Sequence, residues 1–232
     1  MDFLIGAATS NSGKTTLSIG LMRALSKRGL TVQPYKCGPD YIDTMFHKMA
    51  TSRESVNLDT FMSSSDHVRH LFRHYGEGAD IRIVEGVMGL YDGYDSWKGS
   101  SAEIAMLLNV PVVLVVSAKS TAYSVAPLIH GFKTFVPPPS ENVQNPKPLR
   151  IAGVVFNQVA SDKHFNMLRS ACESTGTECL GYLRRNPELN IPGRHLGLTI
   201  PEQENMERLV SLAAHEAEAT ININKLIELT KE

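Results

Sequence analysis

The feature that most constrains this chain is a glycine-containing segment between a short apolar run and an amphipathic pattern. Residues 6–16 have the sequence Gly-Ala-Ala-Thr-Ser-Asn-Ser-Gly-Lys-Thr-Thr. Phe3–Ala7 predicts a strand before it, and Lys14–Arg28 predicts a helix after it, with leucines four residues apart. The backbone N–H groups of such a loop and the positive end of the helix dipole together bind phosphate oxygens. The segment therefore predicts a nucleoside triphosphate site.

Two side chains of this segment have defined roles in phosphate loops. Lys14 is expected to reach the β- and γ-phosphates, and the hydroxyl of Thr15 to hold Mg²⁺. The match to G-x-x-x-x-G-K-[ST] is incomplete, because Ala8 stands where the first glycine is expected. The position between a strand and a helix nevertheless favours a nucleotide site over a chance Gly-Lys-Thr turn.

The rest of the chain alternates strand and helix patterns. Further strands are predicted over 31–35, 81–84, 112–116, 151–156 and 178–183, and further helices over 66–75, 102–108, 124–132, 163–174 and 202–219. This rhythm is typical of parallel strands joined by right-handed crossovers. We expect an α/β fold with a doubly wound, mostly parallel sheet, in a single domain over residues 1–232.

Composition argues against several classes of protein. The 23 basic and 24 acidic residues give a net charge of −1, so the overall charge does not favour nucleic acid or an anionic membrane as a partner. The longest apolar run, Val110–Val116, has seven residues, whereas a membrane helix needs ~20. The three cysteines, at 37, 172 and 179, form no C-x-x-C pair. With no signal peptide visible, we expect a cytoplasmic protein.

A second motif, Lys36–Asp43, follows the second predicted strand. In a parallel sheet this loop opens at the same edge as the phosphate loop, which is where ligands bind. Lys36 and the carboxylates of Asp40 and Asp43 are suited to hold an anionic substrate and a metal ion. The alternative is an ordinary Asx-rich turn around Gly38.

A third motif, Glu85–Gly93, follows the third predicted strand. Phosphate-loop enzymes place a carboxylate at this strand end, where it binds Mg²⁺ directly or through water. The three glycines of the motif allow the backbone to approach a ligand closely. For Glu85 the alternative is a carboxylate that caps the following helix.

Two further patterns are interpreted without a function. Val136–Pro148 contains five prolines, and we expect an exposed insertion loop rather than a polyproline docking segment. His67, His70 and His74 share a face of a predicted helix. Three imidazoles can bind zinc, but the helix also carries two arginines and is expected to be solvated.

The three motifs, in this order, resemble the synthetase domain of cobyrinate a,c-diamide synthases, a branch of the dethiobiotin-synthetase-like amidoligases. The resemblance covers essentially the whole chain and includes Asn57–Asp59, Gly153–Asn157 and Pro192–Leu198. It departs at Gly193, where the family usually has glutamate, and in its longer proline-rich loop. It implies a P-loop NTPase fold and ATP-dependent amidation of the a and c carboxylates of cobyrinic acid, through an acyl phosphate, in cobalamin biosynthesis.

The resemblance also implies site residues. Those for ATP are Asn11, Ser12, Gly13, Lys14, Thr15, Thr16 and, at the adenine edge, Asn157. Those for magnesium are Thr15, Asp59 and Glu85. Those for the substrate are Lys36, Asp40, Tyr41, Asp43, Gly89 and Asp92, and the catalytic residues among all of these are Lys14, Lys36, Asp43 and Asp92. For Arg194 and His195, contact with a carboxylate of the substrate or the nucleotide and a loop-anchor role both stay open. For Asn157 a turn role stays open.

ATP and Mg²⁺ are the implied cofactors, and the implied partners are a tetrapyrrole substrate and a glutaminase domain or subunit that supplies ammonia. None of the three cysteines has the sharp strand-to-helix turn of a glutaminase nucleophile, so we expect an isolated synthetase domain. A homodimer is left open.

Two rival functions remain. The macrocycle could be hydrogenobyrinate or Ni-sirohydrochlorin, or the chain could be a partitioning-type ATPase switch, although Thr9–Ser12 lacks the additional lysine typical of those proteins.

Overall fold

A single parallel sheet organises the fold. The computed structural model describes residues 1–189 and 202–231, and within them seven strands follow the order β3-β2-β4-β1-β5-β6-β7, with every neighbouring pair parallel. The strands are β1 (Asp2–Ala7), β2 (Val32–Cys37), β3 (Val56–Leu58), β4 (Ile81–Glu85), β5 (Val112–Ser117), β6 (Ile151–Val159) and β7 (Cys179–Arg184).

Helices cover both faces of this sheet, which confirms the doubly wound α/β fold. They are α1 (Lys14–Lys27), α2 (Ile42–Thr51), α3 (Ser65–Tyr75), α4 (Ser101–Leu108), α5 (Val125–Thr134), α6 (Asp162–Glu173), α7 (Gln203–Thr220) and α8 (Ile223–Leu229), with a 3₁₀ turn at Pro187–Leu189. Buried side chains of α1, α2, α7 and α8 form one core. Those of α3 to α6 form the other.

Side chains alternate between the two cores along each strand. In β1, Phe3 and Ile5 belong to the core beneath α1, whereas Leu4 belongs to the opposite core. This period of two follows from the pleat of a strand. Because both faces are covered, central strands such as Val112–Ser117 are almost continuously apolar.

The structure differs from the sequence-based expectation mainly between residues 36 and 58. Helix α2 and strand β3 were not predicted, since β3 has only three residues and α2 begins inside the motif interpreted as a loop. Strand β2 continues to Cys37, because β3 and β4 extend its ladder on both sides. Strand β6 continues to Val159, which places Asn157 inside the strand rather than after it.

The structure also shows the proline-rich segment and the three histidines that were interpreted without a function. Val136–Pro148 is a mostly exposed loop without helix or strand, and the indole Nε1 of Trp97 donates to the main-chain oxygen of Pro138 (3.0 Å). The rings of His67, His70 and His74 stack along the exposed face of α3. No helix in the described ranges is long and apolar enough to cross a membrane.

Helix α1 packs closely on α7 at Gly20, which generates a prediction. A Cβ at this position would lie 2.7 Å from the main-chain oxygen of Ala213. Helix propensity alone favours alanine over glycine by about 1 kcal/mol. A backbone atom cannot move aside without shifting α7, however, and overpacking costs about 1–3 kcal/mol. We expect Gly20→Ala to lower the free energy of unfolding measured in urea.

Gly131 on α5 provides the matched control. Apart from its chain neighbours and the backbone of its own helix, no atom of the described residues lies within 4 Å of a Cβ built there. Only helix propensity then acts, so Gly131→Ala should raise the free energy of unfolding by roughly 0.5–1 kcal/mol. Equal shifts in the two variants would contradict the packing argument.

Candidate functional site

The loop between β1 and α1 ends in a left-handed glycine and is held by side chains of the loop and of β6. Gly13, which precedes the first residue of α1, has a φ of 97°, a left-handed conformation that favours glycine. A Cβ there would also lie 2.0 Å from the side-chain nitrogen of Asn157. That nitrogen donates to the main-chain oxygen of Ser12 (2.9 Å), and the Ser12 hydroxyl donates to the main-chain oxygen of Thr9 (2.8 Å). The end of β6 therefore supports this loop.

Lys14 begins α1 and is largely buried, with 8% of its surface exposed. Its Nζ donates to the main-chain oxygen of Met88, in the loop that follows β4. Burial lowers the pKa of the Lys14 ammonium, against the opposing effect of the Glu85 carboxylate. The predicted phosphate-binding lysine thus extends towards the Glu85–Gly93 segment.

Glu85, the last residue of β4, has no exposed surface and is surrounded by hydrogen-bond partners. Its Oε1 accepts from Thr15 Oγ1 (2.6 Å) and from Lys36 Nζ (3.2 Å), while its Oε2 lies 2.7 Å from His47 Nε2. Burial acts to raise the pKa of this carboxyl. Lys36, His47 and Thr15 outweigh that effect and hold the pKa well below its ordinary value. Glu85 is therefore held ionised.

Lys36 lies inside β2 rather than in the following loop, which corrects its expected position. Its Nζ is 3.0 Å from Asp43 Oδ2 and 3.2 Å from Glu85 Oε1, and it donates to the main-chain oxygen of Gly86 (2.8 Å). Although burial acts to lower the pKa of the ammonium, Glu85 and Asp43 raise it. Lys36 is therefore the centre of an internal ion-pair cluster.

The loop from Gly38 to Tyr41 connects this cluster to the surface. The Asp40 carboxylate accepts from the main-chain N–H groups of Ile42 (2.9 Å) and Asp43 (3.1 Å), at the start of α2. The Tyr41 side chain is 80% exposed. Of the predicted substrate residues in this segment, Tyr41 is therefore exposed, whereas Lys36 and Asp43 are buried.

The segment after β4 folds back on the phosphate loop. Leu90 N donates to the main-chain oxygen of Ala7 (2.8 Å), and Gly89 N donates to Asp92 Oδ2 (3.0 Å). A Cβ at Gly89 would lie 2.3 Å from that carboxylate oxygen, so a larger residue there would displace the Asp92 side chain. Asp92 also acts on the pKa of Lys14 through its charge. The structure thus brings Gly89 and Asp92 to the phosphate loop.

The three residues predicted for magnesium are not equally placed. Thr15 and Glu85 are joined by a hydrogen bond, and their oxygens are the hard ligands that Mg²⁺ prefers, with few protein ligands needed beside phosphate and water. Asp59 follows β3, and its Oδ1 accepts from the N–H groups of Phe61 and Met62. In the described part of the chain, no hydrogen bond or ion pair joins Asp59 to Thr15 or Glu85. The Thr15–Glu85 pair fits a magnesium site.

One predicted residue contacts the edge of the gap in the described chain, and two others lie inside the gap. Thr16 Oγ1 donates to the main-chain oxygen of Leu189 (3.3 Å), the last described residue before the gap. Arg194 and His195 belong to residues 190–201, which lie outside the described residues. Their predicted contact stays a prediction.

Three features of the structure were missed in the sequence, and the first belongs to the site. His47 is fully buried and bonds Glu85; its spacing of four residues from Asp43 would have indicated a shared face once α2 was known. Phe61 and Tyr94 form an exposed aromatic pair with ring centroids 4.9 Å apart. Glu103, fully buried, accepts from Thr60 (2.8 Å), Gly99 (2.9 Å) and Ser140 (2.8 Å). No spacing pattern pointed to the last two.

Comparison with known proteins supplies independent evidence. The model of the CobQ/CobB/MinD/ParA nucleotide binding domain matches residues 3–198. A relative from Listeria innocua, named cobyrinate a,c-diamide synthase, is 42% identical over 98% of this chain and 49% of its own length. A relative from Streptomyces coelicolor, named hydrogenobyrinate a,c-diamide synthase, is 46% identical over 91% of this chain and 42% of its own length. The chain spans about half the length of these relatives.

The buried cluster generates a prediction about Lys36. Lys36→Met leaves the Glu85 and Asp43 carboxylates without their shared cation, and breaking a buried pair costs about 3–5 kcal/mol. The depressed pKa of Glu85 contributes stability above the pKa of an unfolded glutamate, near 4.3, and loses it as pH falls. In the variant Lys36 no longer opposes burial, so the pKa of Glu85 rises above the unfolded value and the folded state loses stability as pH rises through that range. The destabilisation measured in urea should therefore be larger at pH 7 than at pH 5.

The control for this prediction is an exposed ion pair. Arg28 and Glu218 are joined at 2.6 Å, with 33% and 39% of their side chains exposed. Exposed pairs contribute about 1 kcal/mol or less, so Arg28→Met should lower the free energy of unfolding only slightly. If the two variants lost the same stability with the same pH dependence, the argument for a buried cluster would fail.

Proposed function

The chain belongs to the CobQ/CobB/MinD/ParA nucleotide binding domain family, and from this premise we propose that it is an ATP-dependent amidoligase. The proposed reaction amidates the a and c carboxylates of cobyrinic acid in cobalamin biosynthesis. One observation carries the proposal: the buried cluster of Thr15, Lys36, Asp43 and Glu85 joins the phosphate loop to the Lys36–Asp43 segment. The names of the two relatives described above support it.

Amidation of a carboxylate requires the ATP site and the carboxylate site to lie next to each other. A carboxylate does not react with ammonia at neutral pH, because oxide would have to leave. Transfer of the γ-phosphoryl group from ATP to a carboxylate oxygen gives an acyl phosphate and ADP. Ammonia then attacks the carbonyl carbon, inorganic phosphate leaves, and a proton is released. Both steps depend mainly on positioning and on neutralising charge.

Each residue near the phosphate loop has a proposed role. Lys14 neutralises phosphate charge at the start of α1. Thr15 and Glu85 hold the Mg²⁺ that, when bound, neutralises the phosphates of ATP. Asn157, whose amide can both donate and accept, binds the adenine edge beside its contact with Ser12. Asp59, which follows β3, supplies a further carboxylate for this Mg²⁺.

The proposed substrate residues surround this nucleotide site. Asp40, Tyr41, Gly89 and Asp92 bind or orient the macrocycle at the carboxyl edge of the sheet. Lys36 and Asp43 are buried, and their charges neutralise each other in the buried cluster. Their proposed role is therefore to support the residues that contact the substrate. The exposed ring faces of Phe61 and Tyr94 suit a flat conjugated ring, because aromatic faces favour offset stacking.

A panel of tetrapyrrole acids tests the substrate. Cobyrinic acid, hydrogenobyrinic acid and Ni-sirohydrochlorin are each incubated with the chain, ATP, Mg²⁺ and ammonium, and amide products are measured by mass. Turnover of cobyrinic acid supports the proposal. Hydrolysis of ATP with no response to any carboxylate would instead favour an ATPase switch.

Lys14 gives the most direct prediction. Removing one group that stabilises developing charge lowers turnover about 10²–10³-fold, so Lys14→Ala should lose at least about 100-fold in ATP-dependent amide formation while the fold is retained by circular dichroism. Lys27, at the exposed far end of the same helix, is the matched control, and Lys27→Ala should keep full activity. Unchanged turnover in Lys14→Ala would remove the phosphate loop from the mechanism.

The three cysteines bear on the source of the ammonia. Burial raises the pKa of the Cys37 thiol to about 12. The hydrogen bond with Cys179 and, to a smaller extent, burial raise the pKa of the Cys172 thiol. Cys179 lies at the start of a strand rather than at a strand-to-helix turn. We propose that a glutaminase domain or subunit supplies ammonia.

We therefore expect this 232-residue chain to form amide from ammonium chloride but not from glutamine. The test compares the two nitrogen donors at equal ATP, Mg²⁺ and macrocycle, with and without an added glutaminase. Efficient amide formation from glutamine by the pure chain would overturn the prediction.

A further inference from the structure

Helix α2 brings two polar side chains to the buried cluster. Asp43 and His47 lie four residues apart, so they share one face of the helix. Asp43 Oδ2 is 3.0 Å from Lys36 Nζ, and His47 Nε2 is 2.7 Å from Glu85 Oε2. The helix thus contacts both members of the Lys36–Glu85 ion pair.

We propose that His47 is a positioning residue that fixes the orientation of the Glu85 carboxylate beside the phosphate loop. The proposal rests on the function proposed above, in which Thr15 and Glu85 hold Mg²⁺. It goes beyond that function because it assigns a role to a fully buried side chain that the proposed function does not use.

The two oxygens of Glu85 have different partners. Oε1 accepts from Thr15 (2.6 Å) and Lys36 (3.2 Å), and Oε2 is paired with His47. The terminal torsion of glutamate is soft and has no sharp preferred angle. With a partner on one oxygen only, the carboxylate can turn about this bond, and the oxygen beside Thr15 is no longer fixed.

The imidazole of His47 is itself held at both ring nitrogens. His47 has no exposed surface, and its Nδ1 lies 2.9 Å from the hydroxyl of Ser55. Both ring nitrogens are thus anchored, one on the residue just before β3 and one at the end of β4. A ligand carboxylate or imidazole held in this way is pre-oriented, and losing such a partner typically weakens metal binding 10–100-fold.

Two substitutions separate orientation from mere burial. The amide nitrogen of glutamine reaches the place of Nε2 and can still donate to Glu85. The amide nitrogen of asparagine reaches only the place of Nδ1 and can serve Ser55 alone. His47→Gln and His47→Asn therefore both remove the ring and keep a polar side chain, but they differ at the contact with Glu85.

The experiment measures binding of a fluorescent ATP analogue to the full chain, with Mg²⁺ and with EDTA. We expect His47→Asn to weaken the Mg²⁺-dependent affinity by about 10-fold or more, and His47→Gln to restore most of it. Affinity in EDTA should change little in either variant. Equal affinities for the two variants in Mg²⁺, whether both reduced or both unchanged, would overturn the proposal.

Two further measurements keep the outcome clear. Thermal unfolding shows whether each variant is folded. If His47→Asn is not folded, Ser55→Ala takes its place and should show a smaller loss of Mg²⁺-dependent affinity. An unchanged affinity in Ser55→Ala would count against the proposal. Lys14→Ala separates this inference from the proposed function. If Lys14→Ala binds the nucleotide normally, the proposed function fails. If Lys14→Ala loses binding while His47→Asn behaves like His47→Gln, only the role of His47 fails.

Discussion

The buried ion pair between Glu85 and Lys36 is the interaction on which the rest of the site depends. Placing an ion in the interior costs several kcal/mol even after relaxation, and Glu85 has no exposed surface. The carboxylate is stable there because Thr15, Lys36 and His47 all reach it. Those three residues come from α1, β2 and α2, so the phosphate loop, the neighbouring strand and the following helix must all be in place for the charge to be satisfied.

The same pair ties the site to the register of the sheet. Lys36 lies directly beside Glu85 in the ladder between β2 and β4. Because successive side chains point to opposite faces, a slip of one residue would send one partner to the other face of the sheet and leave a buried charge alone. The ladder beside it continues to Asn57 on β3, whose side chain donates to the main-chain oxygens of Gly38 and Asp40. The proposed substrate loop is thus fixed by sheet geometry.

The sequence predicted those parts of the molecule that leave a local pattern. The phosphate loop lies between β1 and α1 as expected, and the alternation of strand and helix correctly indicated a doubly wound sheet. Strand β3 has only three residues and leaves no such pattern, whereas α2 was missed because it begins inside the motif interpreted as a loop. That error placed Lys36 in a loop and hid His47, since the shared face of Asp43 and His47 exists only when α2 is helical. Contacts such as Glu103 with Ser140 join residues 37 apart and depend on tertiary structure alone.

The two buried lysines of the site illustrate how environment decides what a charge is used for. Lys36 has three N–H donors, and they are directed at Asp43, Glu85 and the Gly86 carbonyl, so its positive charge is compensated within the protein and its pKa is raised by those carboxylates against the effect of burial. Lys14 is directed at a carbonyl instead, and burial lowers its pKa. Its charge is the less compensated of the two, so it gains more from an arriving phosphate. Lys36 therefore maintains the cluster, while Lys14 is the cation suited to bind the nucleotide.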